Sequence, residues 1–287
     1  PSDNPLIVHI TNLGALEKIT KNVPEETKKI ADAYWPGPLT MIFEKSEAVP
    51  YGTTGGLDTV AVRMPSDEVA RALIDVGGGY IAAPSANTSG RPSPTMAEHV
   101  EEDLTGRIDM ILDGGPVSIG LESTILDMTV TPPMILRPGA ITKEMLEACI
   151  GEVTVDKAVI KPNQRPKAPG MKYRHYAPKA DLSIVEGEMS KVISKINELA
   201  AEQVKAGHKV GIIGTEESVA NYICGDVKSI GTREDESTIA VHLFAILREF
   251  DADQVDYIYS ESFDTEGIGS AIMNRLLKAA GHHVITV

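Results

Sequence analysis

The stretch LSIVEGEMSKVISKINELAAEQVKAGHKVGIIGT, residues 182–215, decides the fold of the second half of the chain. Its apolar start, 182–187, ends in glycine and predicts a strand. Residues 189–207 place Val192, Ile196 and Leu199 on one helical stripe and stop at a glycine, which predicts an amphipathic helix. Residues 209–215 form an apolar run, as expected of a strand covered on both faces. Together they predict a strand–helix–strand unit.

The same alternation continues to the end of the chain. It predicts, in order, a helix near 237–250, a strand at 256–262, a helix at 270–281 and a strand at 283–287. Such alternation favours a doubly wound parallel sheet, so residues 181–287 are predicted to form a small Rossmann-like domain. Gly267 and Gly269 precede a helix and could present N–H groups to an anion, but tight loop packing is the simpler interpretation. We assign this domain no chemistry of its own.

Residues 1–157 are predicted to form a separate, sheet-based α/β domain. Apolar runs ending in turns predict strands at 39–43, 59–64, 80–87, 110–115, 123–129 and 134–139. Helical patterns cover 25–35, 66–78 and 141–151. Residues 158–180 read as a linker, yet its stretch APGMKYRHYAPKAD carries two tyrosines, a histidine and several cations, which are groups suited to holding a ligand.

Composition excludes several classes of function. A net charge of -14 argues against broad binding to nucleic acid or to anionic membranes. No apolar run reaches the roughly 20 residues of a membrane span, and the first residues show no secretory signal. The two cysteines, Cys149 and Cys224, lie far apart and form no C-x-x-C pair, so neither a disulfide framework nor a thiolate metal site is expected. These features favour a cytoplasmic protein.

The richest polar segment is APSANTSGRPSPT, residues 83–95. Its hydroxyls and Arg91 suit a phosphate or carboxylate ligand, and its prolines lower the entropy cost of ordering it; an ordinary surface loop explains it equally well. His9 ends an apolar run, Arg63 lies in the apolar strand TVAVRM, and Arg137 ends another strand. A cation on so apolar a strand needs an anionic partner, either a core aspartate or a ligand.

The motifs that mark activated nucleophiles and zinc proteases are absent from the sequence: neither G-x-S-x-G nor H-E-x-x-H occurs. The candidate site consists of hydroxyls and arginines. Such a set suits a reaction in which two bound substrates attack each other while the protein positions them and neutralises charge. Nucleotidyl transfer is of this type, and Mg²⁺ would accompany the phosphates.

The motifs as a set resemble a known family. SDNPLIVHI, TVAVRMP, APSANTSGRPSPT, LESTILD and ILRPGAI are similar to the YrdC-like domain of threonylcarbamoyl-AMP synthases, and PGMKYRHYAP and GIGSAIMNRLLKAAG to the linker and C-terminal domain of its two-domain form. The resemblance implies an α/β, YrdC-like twisted-sheet domain with a concave, positive cleft, joined to the Rossmann-like domain by a linker that acts as a lid. It also implies synthesis of L-threonylcarbamoyl-AMP from L-threonine, bicarbonate and ATP, with release of pyrophosphate.

The resemblance also assigns roles to residues. Arg63 and Arg137 would be the catalytic residues, and Mg²⁺ would come with ATP rather than at a metal site of the protein. Threonine would be held by His9, Arg63, Ala83 and Ser123. ATP would be held by Thr59, Ser85, Asn87, Ser93, Arg137, Tyr173, His175 and Tyr176. The product would pass to a machinery that modifies tRNA next to the anticodon, with no stable nucleic-acid partner and no membrane involved.

One departure from the family pattern lies at the first residue. The family carries a K-x-R pair just before the stretch that PSDNPL resembles, and this pair is missing here. We therefore expect the chain to be truncated at its N-terminus by about 60 residues of the first domain, going by the family's usual length.

Two other functions remain open on the sequence. The first is an RNA-binding or ribosome-associated module without catalysis, which would use the same positive cleft but fits the acidic net charge poorly. The second is a transferase that uses carbamoyl phosphate, which the two-domain layout and the lack of cysteine-rich zinc motifs disfavour.

Overall fold

A computed structural model gives the structure of the protein and describes residues 4–156 and 176–287. Of these, 4–85, 112–114 and 122–156 belong to a first compact unit, and 86–111, 115–121 and 176–287 to a second. The proposed domain bounds 1–157, 158–180 and 181–287 stay a prediction, because most of the proposed linker lies outside the described residues.

The strands in chain order are β1 Ile7–His9, β2 Leu39–Glu44, β3 Thr59–Arg63, β4 Ile81–Ala83, β5 Thr124–Asp127, β6 Met134–Arg137, β7 Thr154–Val155, β8 Asp181–Glu186, β9 Val210–Gly214, β10 Asp226–Ser229, β11 Tyr257–Glu261 and β12 Val284–Thr286. The α-helices are α1 Leu16–Ile19, α2 Glu26–Tyr34, α3 Tyr51–Thr54, α4 Glu68–Val76, α5 Ala97–Leu104, α6 Lys143–Ile150, α7 Met189–Lys205, α8 Glu236–Ala252 and α9 Gly267–Ala279.

The first unit is built on a mixed seven-stranded sheet in the order β4-β1-β3-β2-β5-β6-β7. Strand β3 shows how the sequence shapes it, because successive side chains of a strand point to opposite faces. Val60 and Val62 lie in the main core of the unit, whereas Ala61 belongs to a small cluster on the other face. The second face therefore has a thin apolar cover, and Arg63 follows Ala61 on it.

The second unit is built on a five-stranded sheet in the order β10-β9-β11-β8-β12, and every pairing in it is parallel. Val192, Ile196 and Ala200 of α7 pack in one apolar cluster of this unit, whereas α8 and α9 contribute to another. Helices thus cover both faces, as the apolar strand sequences require. The predicted α/β class, with a second, wholly parallel sheet, is confirmed.

Several predicted elements were wrong. Residues 110–115 form no strand; Met110 and Leu112 are exposed, so the apolar run packs into no core. Strand β4 ends at Ala83, because Pro84 has no N–H to continue the pairing. The pattern also missed α5 and the polar edge strand β10. Edge strands escape such analysis because they lack a buried apolar run.

Within the described residues, no helix combines the length and the apolar character that crossing a membrane requires.

Candidate functional site

Five neighbouring strands of the first sheet align four polar residues and one isoleucine in one row. His9 pairs with Arg63, Arg63 with Thr40, Thr40 with Ile125, and Ile125 with Arg137. Residues paired across strands place their side chains on the same face of the sheet. The row therefore lies on the thinly covered face, where Ala61 and Ile125 form the small apolar cluster. Its members come from distant parts of the sequence, and register alone brings them together.

Ser123 joins two members of this row. Its hydroxyl lies 2.7 Å from Oγ1 of Thr40, and Arg137 donates from Nη2 to the same hydroxyl at 3.1 Å and from Nε to the Ser123 carbonyl at 3.0 Å. All three side chains are buried. Because buried polar groups keep their position only when they are hydrogen-bonded, this triad is a fixed part of the site.

Arg63 is held differently. Its Nε donates to the Gly37 carbonyl at 3.0 Å, which leaves the other guanidinium N–H groups for a further partner. Burial, and next the positive charge of Arg137, lower the pKa of Arg63 to about 10. Among the residues that the structure describes, no carboxylate forms an ion pair with Arg63. Arg63, with no such ion pair and with a second arginine close enough to repel it, is suited to an anionic ligand.

His9 lies beside Arg63. Burial and the charge of Arg63 lower the pKa of His9, although hydrogen bonds to the backbone of Ile81 and Ile7 act in the opposite direction. The imidazole is therefore neutral at neutral pH, and it can accept a hydrogen bond from a ligand through one nitrogen.

The depressed pKa of His9 predicts a pH dependence of stability. Below the ordinary histidine value of 6.5, the unfolded chain takes up a proton that folded His9 resists, so the free energy of unfolding falls as the pH falls. We expect His9→Gln to remove this contribution and to flatten the decline by at most about 1.4 kcal/mol per pH unit. Urea denaturation between about pH 8 and about pH 5.5 checks this. Equal slopes for both proteins would contradict it.

The start of β5, directly after Ser123, is fixed by a close backbone approach. A Cβ on Gly139 would lie 2.5 Å from the backbone nitrogen of Thr124 and 2.9 Å from the carbonyl of Glu122. Oγ1 of Thr124 in turn donates to the Ile141 carbonyl at 2.6 Å. Glycine at 139 thus lets the turn after β6 lie against the start of β5, which places Ser123 beside Arg137.

The other predicted residues of the first unit lie outside the row. Ala83 pairs with Ile7, two positions along β1 from His9. Ser85 is exposed and follows β4 by two residues. Thr59 pairs with Glu44 at the opposite end of β3, four residues and about 13 Å from Arg63 along the strand. Their proposed contacts with threonine or ATP stay predictions.

Three of the predicted ATP-binding residues lie in the second unit, and two others lie outside the described residues. Asn87 donates to the carbonyls of Thr88 and Arg91, at 3.1 and 3.2 Å, and so supports its own loop. Ser93 is buried, and the ring of Tyr176 packs in the core with its centroid 5.1 Å from that of Phe244. Tyr173 and His175 lie outside the described residues. The predicted roles of these side chains at the nucleotide also stay predictions.

Sequence reasoning missed Thr40 and the carbonyl of Gly37. A signal for Thr40 was present, because it is a hydroxyl inside the apolar strand LTMIF, at the same parity as Ile42 and Glu44. No side-chain pattern could indicate the Gly37 carbonyl, since a backbone acceptor is independent of residue type.

No group of three or more histidine, cysteine, aspartate or glutamate side chains that could hold a metal ion occurs in the described part of the chain. The donor set of the row consists of arginines, hydroxyls and a histidine, which bind anions better than they bind magnesium.

Fold and site together define a two-unit α/β protein with a row of cationic and polar side chains on a mixed sheet and a second, wholly parallel sheet. Over its full length the chain is 50% identical to the threonylcarbamoyl-AMP synthase of Pyrococcus abyssi, of which it spans 83%. The chain belongs to the family of threonylcarbamoyl-AMP synthases, in its two-domain form.

Further comparisons agree. Residues 1–139 match the family described as telomere recombination (Sua5_yciO_yrdC), and residues 141–281 match the C-terminal domain of threonylcarbamoyl-AMP synthase. The Bacillus subtilis threonylcarbamoyl-AMP synthase is 51% identical over 99% of this chain and 82% of the relative. The structure of Pyrococcus abyssi Sua5 complexed with L-threonine is similar to all of this chain and 83% of its own, at a TM-score of 0.94 and 48% identity.

The comparisons confirm the family resemblance drawn from the motifs. The comparisons do not support the expected truncation. The matches cover 100% and 99% of this chain, and they do not assign the unmatched residues of the relatives to either end.

Proposed function

We propose that this protein synthesises L-threonylcarbamoyl-AMP from L-threonine, bicarbonate and ATP and releases pyrophosphate. The product serves threonylcarbamoylation of the tRNA adenosine next to the anticodon. The observation that carries this proposal is Arg63, a cation held by the Gly37 carbonyl beside a second arginine, with no carboxylate paired to it in the described residues. Family membership and the L-threonine complex of a relative 48% identical support it.

In this proposal Arg63 binds the carboxylate of threonine. A guanidinium and a carboxylate match as a bidentate pair, and partial burial strengthens the interaction. Neutral His9 pairs with Arg63 on one side, and the Ser123 hydroxyl contacts Thr40, which pairs with Arg63 on the other side, so both would contact the rest of the amino acid. The backbone at Ala83 would complete this part of the site.

The chemistry would proceed in two steps. The amine of threonine takes up bicarbonate and loses water, which gives an N-carboxylate. One oxygen of this carbamate then attacks the α-phosphate of ATP in line, a new P–O bond forms, and pyrophosphate leaves with the electrons of the broken P–O bond. Arg137 would neutralise charge that develops at the phosphorus. The row supplies no nucleophile of its own, in keeping with attack by one bound substrate on the other.

ATP would bring Mg²⁺ with it as part of the substrate, since the described residues offer the ion no carboxylate cluster. Thr59, Ser85, Asn87, Ser93, Tyr173, His175 and Tyr176 are the proposed contacts to the nucleotide. A lid formed by the linker, transfer of the product to the tRNA-modifying machinery and a cytoplasmic location stay predictions from the sequence.

Two alternatives make different predictions. An RNA-binding module would bind RNA tightly, with strong salt dependence and no effect of ATP, which the net charge of -14 disfavours. A carbamoyl-phosphate-using transferase would replace bicarbonate and ATP by carbamoyl phosphate.

The test is a pyrophosphate-release assay with each substrate omitted in turn. We expect release from ATP to require both L-threonine and bicarbonate, and carbamoyl phosphate not to replace bicarbonate. Release that is independent of threonine would contradict the proposal. A filter-binding assay with RNA, at low and at high salt, tests the first alternative in parallel.

A further inference from the structure

The segment SANTSGRPSPT contains the proposed ATP-binding residues Asn87 and Ser93, yet its part 86–95 belongs to the second unit. We call residues 86–95 the serine–proline loop. Two bonds from the Asn87 amide to carbonyls of the loop fix its local shape. Local bonds cannot fix its position on the unit, however, so the contacts with the rest of the second unit decide where Ser93 lies.

Arg248 of helix α8 makes the main contact with this loop. Its Nε and Nη2 donate to the carbonyl of Pro92 at 3.1 and 2.7 Å. Nη2 also donates to Oδ2 of Asp103, in α5, at 2.8 Å. Only 3% of Arg248 is exposed, so the whole guanidinium is committed inside the protein. The acceptor at Pro92 is the residue directly before Ser93.

Asp103 connects Arg248 to the rest of the loop. Its Oδ2 accepts from the backbone nitrogen of Thr88 at 3.1 Å, and its Oδ1 pairs with Arg91. Burial alone would raise the pKa of Asp103, but the bonds from Arg248 and Thr88 and the charges of both arginines hold it below the ordinary value. The carboxylate is therefore ionised and bound to the loop at Thr88 and Arg91.

The same helix also holds the end of the linker. Asp251, three residues after Arg248, accepts from the backbone nitrogen of Lys179 at 2.6 Å. The backbone nitrogen of Ala177 donates to the Gly90 carbonyl at 3.0 Å, so the end of the linker contacts the loop directly. Helix α8 thus gathers the loop and the linker end into one bonded network.

The energetics indicate positioning rather than stability. Taking an arginine and an aspartate out of water costs several kcal/mol, and well-packed apolar side chains would stabilise the contact at least as well. What a guanidinium adds is direction, because its rigid fork fixes the Pro92 carbonyl and the Asp103 carboxylate at once.

We propose that Arg248 is a positioning residue of the synthase: by holding Pro92 and Asp103 it fixes Ser93 and the serine–proline loop in the arrangement that binds ATP. Arg248 thereby gives the C-terminal parallel-sheet unit an indirect part in nucleotide binding, because Arg248 itself does not contact the nucleotide. This inference rests on the proposed role of the loop in holding ATP.

The test separates binding of the two substrates. We expect Arg248→Met to raise the KM for ATP by about tenfold or more while the KM for L-threonine changes by less than about twofold. Arg248→Lys keeps the charge but loses the forked guanidinium, so its KM for ATP should lie between those of the unaltered protein and Arg248→Met. Hydrogen exchange of the amides in residues 86–95 should be faster in Arg248→Met, with or without ATP.

Lys228→Met is the matched control. Lys228 pairs with Glu249 of α8 and with Asp253 directly after it, at 3.0 and 2.9 Å, and both of these partners lie outside the serine–proline loop. The variant Lys228→Met removes a cation that contacts α8, and it should leave the KM for ATP unchanged. Should it raise that KM as much as Arg248→Met does, a general loss of helix stability would explain both results and the proposal would be wrong.

If Arg248→Met does not fold, Asp103→Asn replaces it, because the amide keeps the shape and loses the charge that holds Arg248. A folded variant of either residue with the KM for ATP of the unaltered protein would overturn the proposal. If the unaltered protein releases no threonine-dependent pyrophosphate, the proposed function fails instead; ATP binding and hydrogen exchange of the loop then still report on Arg248.

Discussion

Arg63→Gln is expected to raise the KM for L-threonine by about 10²-fold and to change the KM for ATP by less than about threefold. The reason is that hydrogen bonds to a charged group contribute about 1.5–3 kcal/mol, and 2.7 kcal/mol corresponds to roughly a hundredfold in binding. Glutamine retains one N–H donor for the Gly37 carbonyl, so the local backbone contact has a substitute. Initial rates of pyrophosphate release at varied L-threonine measure the change.

The folded protein itself offers an independent readout. Burial and the charge of Arg137 disfavour the Arg63 cation, as its lowered pKa shows. Without ligand, Arg63→Gln should therefore be at least as stable as the unaltered protein. L-Threonine should raise the melting temperature of the unaltered protein but not of the variant, since only a ligand that binds the folded state stabilises it.

Arg107→Gln serves as the control for this experiment, because Arg107 is exposed and lies outside the row. It should retain both the KM for threonine and the thermal shift. An unchanged KM for threonine in folded Arg63→Gln would show that the carboxylate of the substrate binds elsewhere.

Arg137→Gln is expected to lower kcat by about 10²- to 10³-fold, with a smaller effect on the KM for threonine. Removing one preorganised group that stabilises transition-state charge typically has this effect on kcat. Arg137 is buried and holds the Ser123 carbonyl and hydroxyl through two nitrogens. Glutamine can still donate to one of these oxygens, so loss of charge is the main change at the site.

Arg137→Lys keeps the charge but loses the two-pronged contact, and it should retain more activity than Arg137→Gln. Ser123→Ala isolates the contact itself, because it removes the hydroxyl and leaves the arginine. Single-turnover pyrophosphate release, with folding checked by circular dichroism, ranks the variants. The role in charge neutralisation would be refuted if Arg137→Gln, properly folded, kept kcat within about fivefold of the unaltered protein.

The sequence was informative where a residue differs in character from its immediate neighbours in the chain. Arg63 could be singled out because a cation inside TVAVRM conflicts with the strand around it, and the structure brings it beside His9 and Arg137. The parallel sheet could be predicted because its strands are apolar on both faces. The family resemblance already assigned His9, Arg63 and Arg137 to the binding of substrates.

The sequence could not predict which residues pair across neighbouring strands. The row from His9 to Arg137 exists because of strand register, which depends on which strands become neighbours and not on local pattern. Thr40 stands out as a hydroxyl within its own strand, but its position beside Arg63 and Ser123 depends on this pairing. Arg248 escaped notice: inside the helix FAILREF it reads as a solvated charge, and its partners Pro92 and Asp103 lie 156 and 145 residues away.

That separation has a consequence for how the chain folds. The serine–proline loop leaves the ribosome well before α8 is synthesised, so the Pro92 carbonyl and Asp103 lack their Arg248 partner until residue 248 emerges. Contacts of such high contact order form late, because the entropy of closing a long loop opposes them. We therefore expect the first sheet to assemble early and the loop to become ordered only at the end of translation, so that the nascent protein gains its nucleotide site last.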